Sequence, residues 1–241
     1  MNFRLRVESF RNELSDWSLA LSQPLLRNRS ITNLVVGVSD YGEGTAPLGK
    51  AVARSKTIRK ICLLPYRLGT SNTFVSLRFF DSLCVNISEN CALCCACLEW
   101  EVPCLPWGCD SLVIVRDTVH RNLSYVARAA QFSNQARSDI LCAAALDRVY
   151  RQPALIAELS KVLAVSEADA VVAVRQGYRS IEGMHEFVRL AGVVMAHVTC
   201  QPRDDGHAQL DALDEQCWAH VRWYLQLDDV AWPCRSSTNV L

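Results

Sequence analysis

The sequence carries no surplus charge of either sign: 25 Lys and Arg balance 25 Asp and Glu over 241 residues. Without net charge there is no global field to gather nucleic acid or an anionic membrane, so strong nucleic-acid binding is not expected. No apolar run reaches the length a bilayer requires; the longest, near Leu190 to Val198, is interrupted by His197. No membrane partner is expected. Met1 to Phe10 alternates charged with apolar residues and builds no apolar block of the secretory kind, which predicts a soluble intracellular protein. Catalytic signatures are also missing. His185-Glu186 lacks the second histidine of HExxH, there is no GxSxG, and the five histidines are scattered, so neither an enzyme nor a catalytic residue is expected. There is no internal repeat and no low-complexity segment.

What is present is apolar surface and cysteine. Half of the residues are hydrophobic, enough for a core in one domain or two intimate ones. The twelve cysteines, in a reducing compartment, are expected as thiols or metal ligands and not as disulfides. Cys91-Ala92-Leu93-Cys94 and Cys94-Cys95-Ala96-Cys97 are overlapping CxxC spacings, and Cys104 with Cys109 could complete a four-sulfur zinc site. The competing expectation is a packed helix in which cysteine serves as a small hydrophobe between Ala and Leu, with no metal and no cofactor. Gly44 to Lys50 fits GxxxxGK, but Ala51 cannot supply the hydroxyl that holds magnesium and Pro47 removes a backbone donor. A Gly/Pro loop leading into a helix is the expectation there. Arg54, Lys56, Arg59 and Lys60 form a local basic cluster, read as a solvated face, with an RNA-phosphate track as the alternative.

Along the chain, Asn2 to Phe10 has the two-residue period of a half-buried strand, and Arg11 to Ser22 that of a short helix ending before Pro24. Ile31 to Val38 is an apolar run of undecided type, followed by a Gly- and Pro-punctuated loop over 39–47. Phe74, Leu77, Phe80, Leu83 and Cys84 make one helical stripe, and Leu64-Pro65 a helix start before it. Such short apolar helices enclose little surface by themselves, which implies a partner. Leu112 to Val115 is expected as a buried strand pairing with the N-terminal one. Helices follow over 133–150, from Pro153, from Ser166 (a capping box with Asp169) to Gly177, over 181–198 and over about 208–226. In the first of these, Arg137, Asp139, Asp147 and Arg148 are expected to face water, and the tail from Trp232 is polar.

Leu64, Pro65 and Leu68, then Phe79, Phe80 and Leu83, then Cys95 to Trp100 follow the order LPxxL, apolar stripe, Trp-terminated segment. That order resembles an F-box, the adaptor-binding module of ubiquitin ligases. A narrower stretch, Cys97-Leu98-Glu99-Trp100 with Cys104 and Leu112 to Val115 after it, is similar to the P-zero silencing suppressors of poleroviruses and enamoviruses. The resemblance covers roughly residues 60 to 150. It implies an F-box-like suppressor of host RNA silencing that links a Skp-type adaptor to Argonaute and promotes Argonaute degradation in the host cytoplasm. Leu64, Pro65, Leu68, Leu98, Glu99 and Trp100 are then the candidate partner-binding residues. A zinc-binding regulatory module on Cys91, Cys94, Cys104 and Cys109, or a suppressor that binds RNA directly, remains the alternative.

The expected class is mainly α (α+β), a helical bundle with a small sheet formed by N-terminal and central strands. The expected organisation is a strand and helix region over 1–59, an F-box-like helical segment over 60–110, a helical region over 111–230 and a loose tail over 231–241.

Overall fold

The computed structural model describes residues 2–6, 14–38, 45–65, 73–98, 110–136, 139–190, 205 and 213–225. The chain divides into two compact units, Met1–Ser124 with Gln152–Glu158, and Tyr125–Arg151 with Leu159–Leu241. It is mainly helical with a small parallel sheet, the class the sequence predicts.

In the first unit strands alternate with helices: β1 (Asn2–Arg6), α1 (Leu14–Arg27), β2 (Asn33–Val38), α2 (Ala46–Arg54), β3 (Lys60–Pro65), α3 (Thr73–Cys84) and β4 (Cys95–Leu98). The four strands pair in parallel and in chain order, with Phe3, Leu34, Ile61 and Ala96 in one row and Leu5, Val36, Leu63 and Leu98 in the next but one. Parallel neighbours cannot be joined by a tight turn, and each connection here carries a helix. Side chains alternate across a strand, so Leu34, Val36, Ile61 and Leu63 share a face. They are buried there with Leu25 of α1, Leu48 and Val52 of α2, and Phe79, Phe80 and Leu83 of α3. The connecting helices therefore lie on one face of the sheet, as right-handed crossovers taken in strict order require.

This arrangement corrects several expectations. The described residues of the expected 60–110 helical segment supply β3 and β4 to the same sheet as β1 and β2, with α3 and a 3₁₀ turn at Ile87–Glu89 between. Leu64-Pro65 ends a strand, where a helix start was expected. Ile61 to Leu64 is a continuous apolar run of the kind parallel strands carry, and Pro65 stands at its last position, where no interior ladder donor is lost. Cys95 to Leu98 is likewise strand where a packed helix was expected. Leu112 to Val115 lies in α4 (Asp110–Ser133), and β1 pairs with β2 instead. Val113 and Ile114 are exposed while Val115, Thr118, Val119, Asn122 and Val126 are buried, a helical spacing that four consecutive apolar residues conceal. Pro24 sits inside the last turn of α1 instead of beyond its end.

The second unit is helical among its described residues. It contains α5 (Ile140–Arg151), the later part of α6 (Pro153–Leu163), α7 (Glu167–Glu182), α8 (Met184–Leu190) and α9 (Glu215–Tyr224). Ser166 caps α7 as expected, its Oγ accepting from Asp169 N at 3.1 Å. The helix runs through Gly177 instead of ending there. A Cβ at that position would meet Leu146 Cδ2 at 2.9 Å, so the glycine serves the close approach of α5 and α7. Gly183 separates α7 from α8, and residues 191–198 of the expected helix are outside the described residues, as are 208–212 of the last one and the tail from Trp232. Asp147, expected to face water, is buried and paired with Arg151 Nε at 2.9 Å.

Candidate functional site

Leu64 and Pro65 are the last two residues of β3, and the register pairs Leu63 with Leu98, the last residue of β4. Both strands run in the same direction, so both leave the sheet at the same end. From Pro65 the chain continues toward Leu68, and from Leu98 into Glu99 and Trp100; Leu68, Glu99 and Trp100 lie outside the described residues. Leu64 is half-buried on the face opposite the helices, and its β2 partner is Gly37, which has no side chain to cover it.

The apolar stripe of the F-box resemblance is no surface. Phe79, Phe80 and Leu83 are buried in the first unit's core, the two rings edge to face with centroids 5.7 Å apart. Their burial comes from α2 and the sheet, so the partner that the sequence implied for this stripe is not needed to cover it. Gly49 makes the fit possible: a Cβ there would come within 2.8 Å of Phe79 O and 3.0 Å of Ser82 Cβ. The second glycine of GxxxxGK is thus a packing glycine. Ala46 to Lys50 is helix and not phosphate loop, Lys50 is exposed, and Gly44 lies outside the described residues. Near the start of α2, where amides lack intrahelical partners, Leu48 N donates to Ser18 Oγ of α1 at 3.1 Å.

Cys91 and Cys94 lie in the turn before β4, while Cys104 and Cys109 are outside the described residues. Among the described residues no group of three His, Cys, Asp or Glu side chains converges as a metal site. The turn is organised by Asn90, which the sequence reading missed. Its Nδ2 donates to the carbonyls of Val52, Ala53 and Ser55 at 3.2, 2.9 and 3.1 Å, satisfying the end of α2. Its Oδ1 accepts from the amides of Ala92 and Leu93, both at 2.8 Å. From α4, Asn122 Nδ2 donates to the carbonyls of Asn90 and Leu93 at 3.0 and 2.8 Å, and Arg121 Nη2 reaches Asn90 O at 2.7 Å. An Asn at the head of a short apolar run is the one local cue, since Asn binds backbone two residues on.

Cys95 and Cys97 share the sheet face opposite the helices with Cys62, the register partner of Cys97. Burial pushes the Cys95 thiol up, the neighbouring Cys97 adds to this, and the Lys60 ammonium opposes it. A thiol so raised gives up its proton less readily than a free cysteine, which disfavours Cys95 as a nucleophile. The basic residues Arg54, Lys56, Arg59 and Lys60 belong to the other end of the sheet, where α2 ends and β3 begins.

Compared with known proteins, the chain matches no family model, no curated protein and no solved structure.

Proposed function

We propose that the chain is a suppressor of host RNA silencing that acts as an adaptor in the host cytoplasm, joining a Skp-type ubiquitin-ligase component to Argonaute so that Argonaute is modified and removed. Such a role needs no chemistry of its own, because holding two proteins together raises their effective concentration. The sequence resemblance at Leu64, Pro65 and Leu68 and at Cys97 to Trp100 supports it. One structural observation supports it further: the Leu63 to Leu98 register brings these two stretches, far apart in the chain, to neighbouring strand ends. Interface energy concentrates in a few adjacent anchors from which water is excluded, and adjacency is what this register supplies.

The grip differs from that of a helical F-box. With Phe79, Phe80 and Leu83 in the core, the adaptor is held by the ends of β3 and β4 and the segments that follow them. The test is capture of purified protein on an immobilised plant Skp-type adaptor. Wild type is captured, and Leu64→Ala with Pro65→Ala is not, while circular dichroism is unchanged. Absence of wild-type capture at micromolar concentration ends the proposal.

A further inference from the structure

The end of the sheet away from Leu64 and Leu98 gathers positive charge from segments separated in sequence. Thr57 Oγ1 donates to Asn28 O at 3.3 Å, and Arg59 N and Lys60 N donate to Thr32 O at 2.7 and 3.1 Å. Arg59 O in turn accepts from Cys94 N and Cys95 N at 2.8 and 3.0 Å. These bonds hold the turn after α1, the connection from α2 to β3 and the turn before β4 against one another.

Arg27, Arg29, Arg54, Lys56, Arg59 and Lys60 therefore lie at one end of the first unit, all exposed except the half-buried Arg59. Among the described residues the ion pairs are Arg151 with Asp147 and Arg189 with Glu186, so none of the six is neutralised there. Among the described residues, Glu158 is a carboxylate close to this end, acting on Cys95 together with Lys60. Arg27 and Arg54 stand in the last turns of α1 and α2, where a cation complements the helix dipole. Arg29, Lys56, Arg59 and Lys60 are outside any helix and have no such role. A chain of zero net charge thus concentrates cations on one surface, and a local potential of this kind selects partners of opposite sign.

We infer that this end docks an acidic segment of a protein partner, rich in Asp and Glu. Most of the cations are arginines, whose planar fork pairs a carboxylate through two hydrogen bonds. The segments 27–33, 54–60 and 86–95 that build this end carry no aromatic side chain on which a nucleic-acid base could stack. The surface is separate from the strand ends of β3 and β4 and does not rest on the adaptor proposal.

The experiment is fluorescence anisotropy of a short labelled peptide alternating Glu with Gly, its Gln counterpart, and labelled single-stranded and duplex RNA, each titrated with the full chain. The acidic peptide binds and the Gln peptide does not, and affinity falls about tenfold as salt rises from about 0.05 to 0.2 M. Lys56→Glu with Lys60→Glu weakens binding by about tenfold or more. Arg116→Glu with Arg128→Glu, at exposed positions on α4, leaves it unchanged. Lys56→Gln, outside helix and strand, replaces the double variant if that one loses its circular dichroism spectrum. No binding of the acidic peptide, or binding indifferent to these variants, overturns the inference. Tighter binding of either RNA than of the peptide at equal salt also overturns it and makes this end a nucleic-acid surface.

Discussion

Leu63 and Leu98 are register partners in adjacent parallel strands, although a helix and a 3₁₀ turn separate them in the chain. Their pairing makes the exits of β3 and β4 neighbours, so Leu64-Pro65 and Leu98 stand at the same end of the sheet. What fixes these strand ends is the set of contacts that hold the strands in place, and each contact can be tested by itself.

Asn90→Ala removes five hydrogen bonds at once: Val52 O keeps Ser55 N, but Ala53 O, Ser55 O and the amides of Ala92 and Leu93 lose this partner. Each buried group so orphaned costs roughly 1–3 kcal/mol before relaxation, and a total loss of about 3 kcal/mol is expected. The urea midpoint of the first unit's transition should fall with little change in slope. A shift under about 0.5 kcal/mol, the range of ordinary surface changes, would show that Asn90 does not clasp the turn.

Gly49→Ala should also destabilise, by about 1–3 kcal/mol, through overpacking. Alanine is the better helix former by up to about 1 kcal/mol, so propensity alone predicts the opposite sign. Contact decides, because the added Cβ would meet backbone at Phe79 O, which cannot move aside as a flexible side chain can. A higher melting temperature for this variant would contradict the close approach of α2 and α3.

Little of this packing was legible in the sequence, and the reason is physical. The period-two alternation of Phe3 and Leu5 against Arg4 and Arg6 marked β1 correctly, and Ser166 with Asp169 marked the start of α7. Ile61 to Leu64 and Cys95 to Leu98 gave no such period, because Cys62, Leu64, Cys95 and Cys97 also put apolar or thiol side chains on the face opposite the helices, and an unbroken run of this kind is the same signal as a buried helix segment. Val113 to Val115 failed for the converse reason, its helical spacing becoming visible only once Val119 and Val126 are included. Leu64, Pro65 and Leu98 came from resemblance alone. That β3 and β4 end beside each other depends on pairing between distant strands, and Asn90 and Asn122 act through contacts equally remote in sequence, which no local spacing expresses.

Cys95 offers a pH test. Its thiol is held up chiefly by burial, so the folded chain keeps this proton more tightly than the unfolded chain does. The sign follows: the contribution to stability is fully present below the ordinary thiol value and is lost as pH rises through the raised one. Alkylation by iodoacetamide, mapped by mass spectrometry across alkaline pH, should place the Cys95 profile at higher pH in folded protein than in urea-unfolded protein. Coincident profiles would remove the burial argument and reopen a reactive role for the cysteine row.

The measurement that tests the central proposal most directly is a reporter-silencing assay in plant leaf tissue with Argonaute immunoblots and messenger quantification, for wild type and for Leu64→Ala with Pro65→Ala. The wild-type chain should restore the reporter and lower Argonaute protein while its messenger stays constant. The double variant, expressed to the same level, should do neither. Suppression by the double variant equal to wild type, or suppression by wild type with Argonaute protein unchanged, would contradict the account.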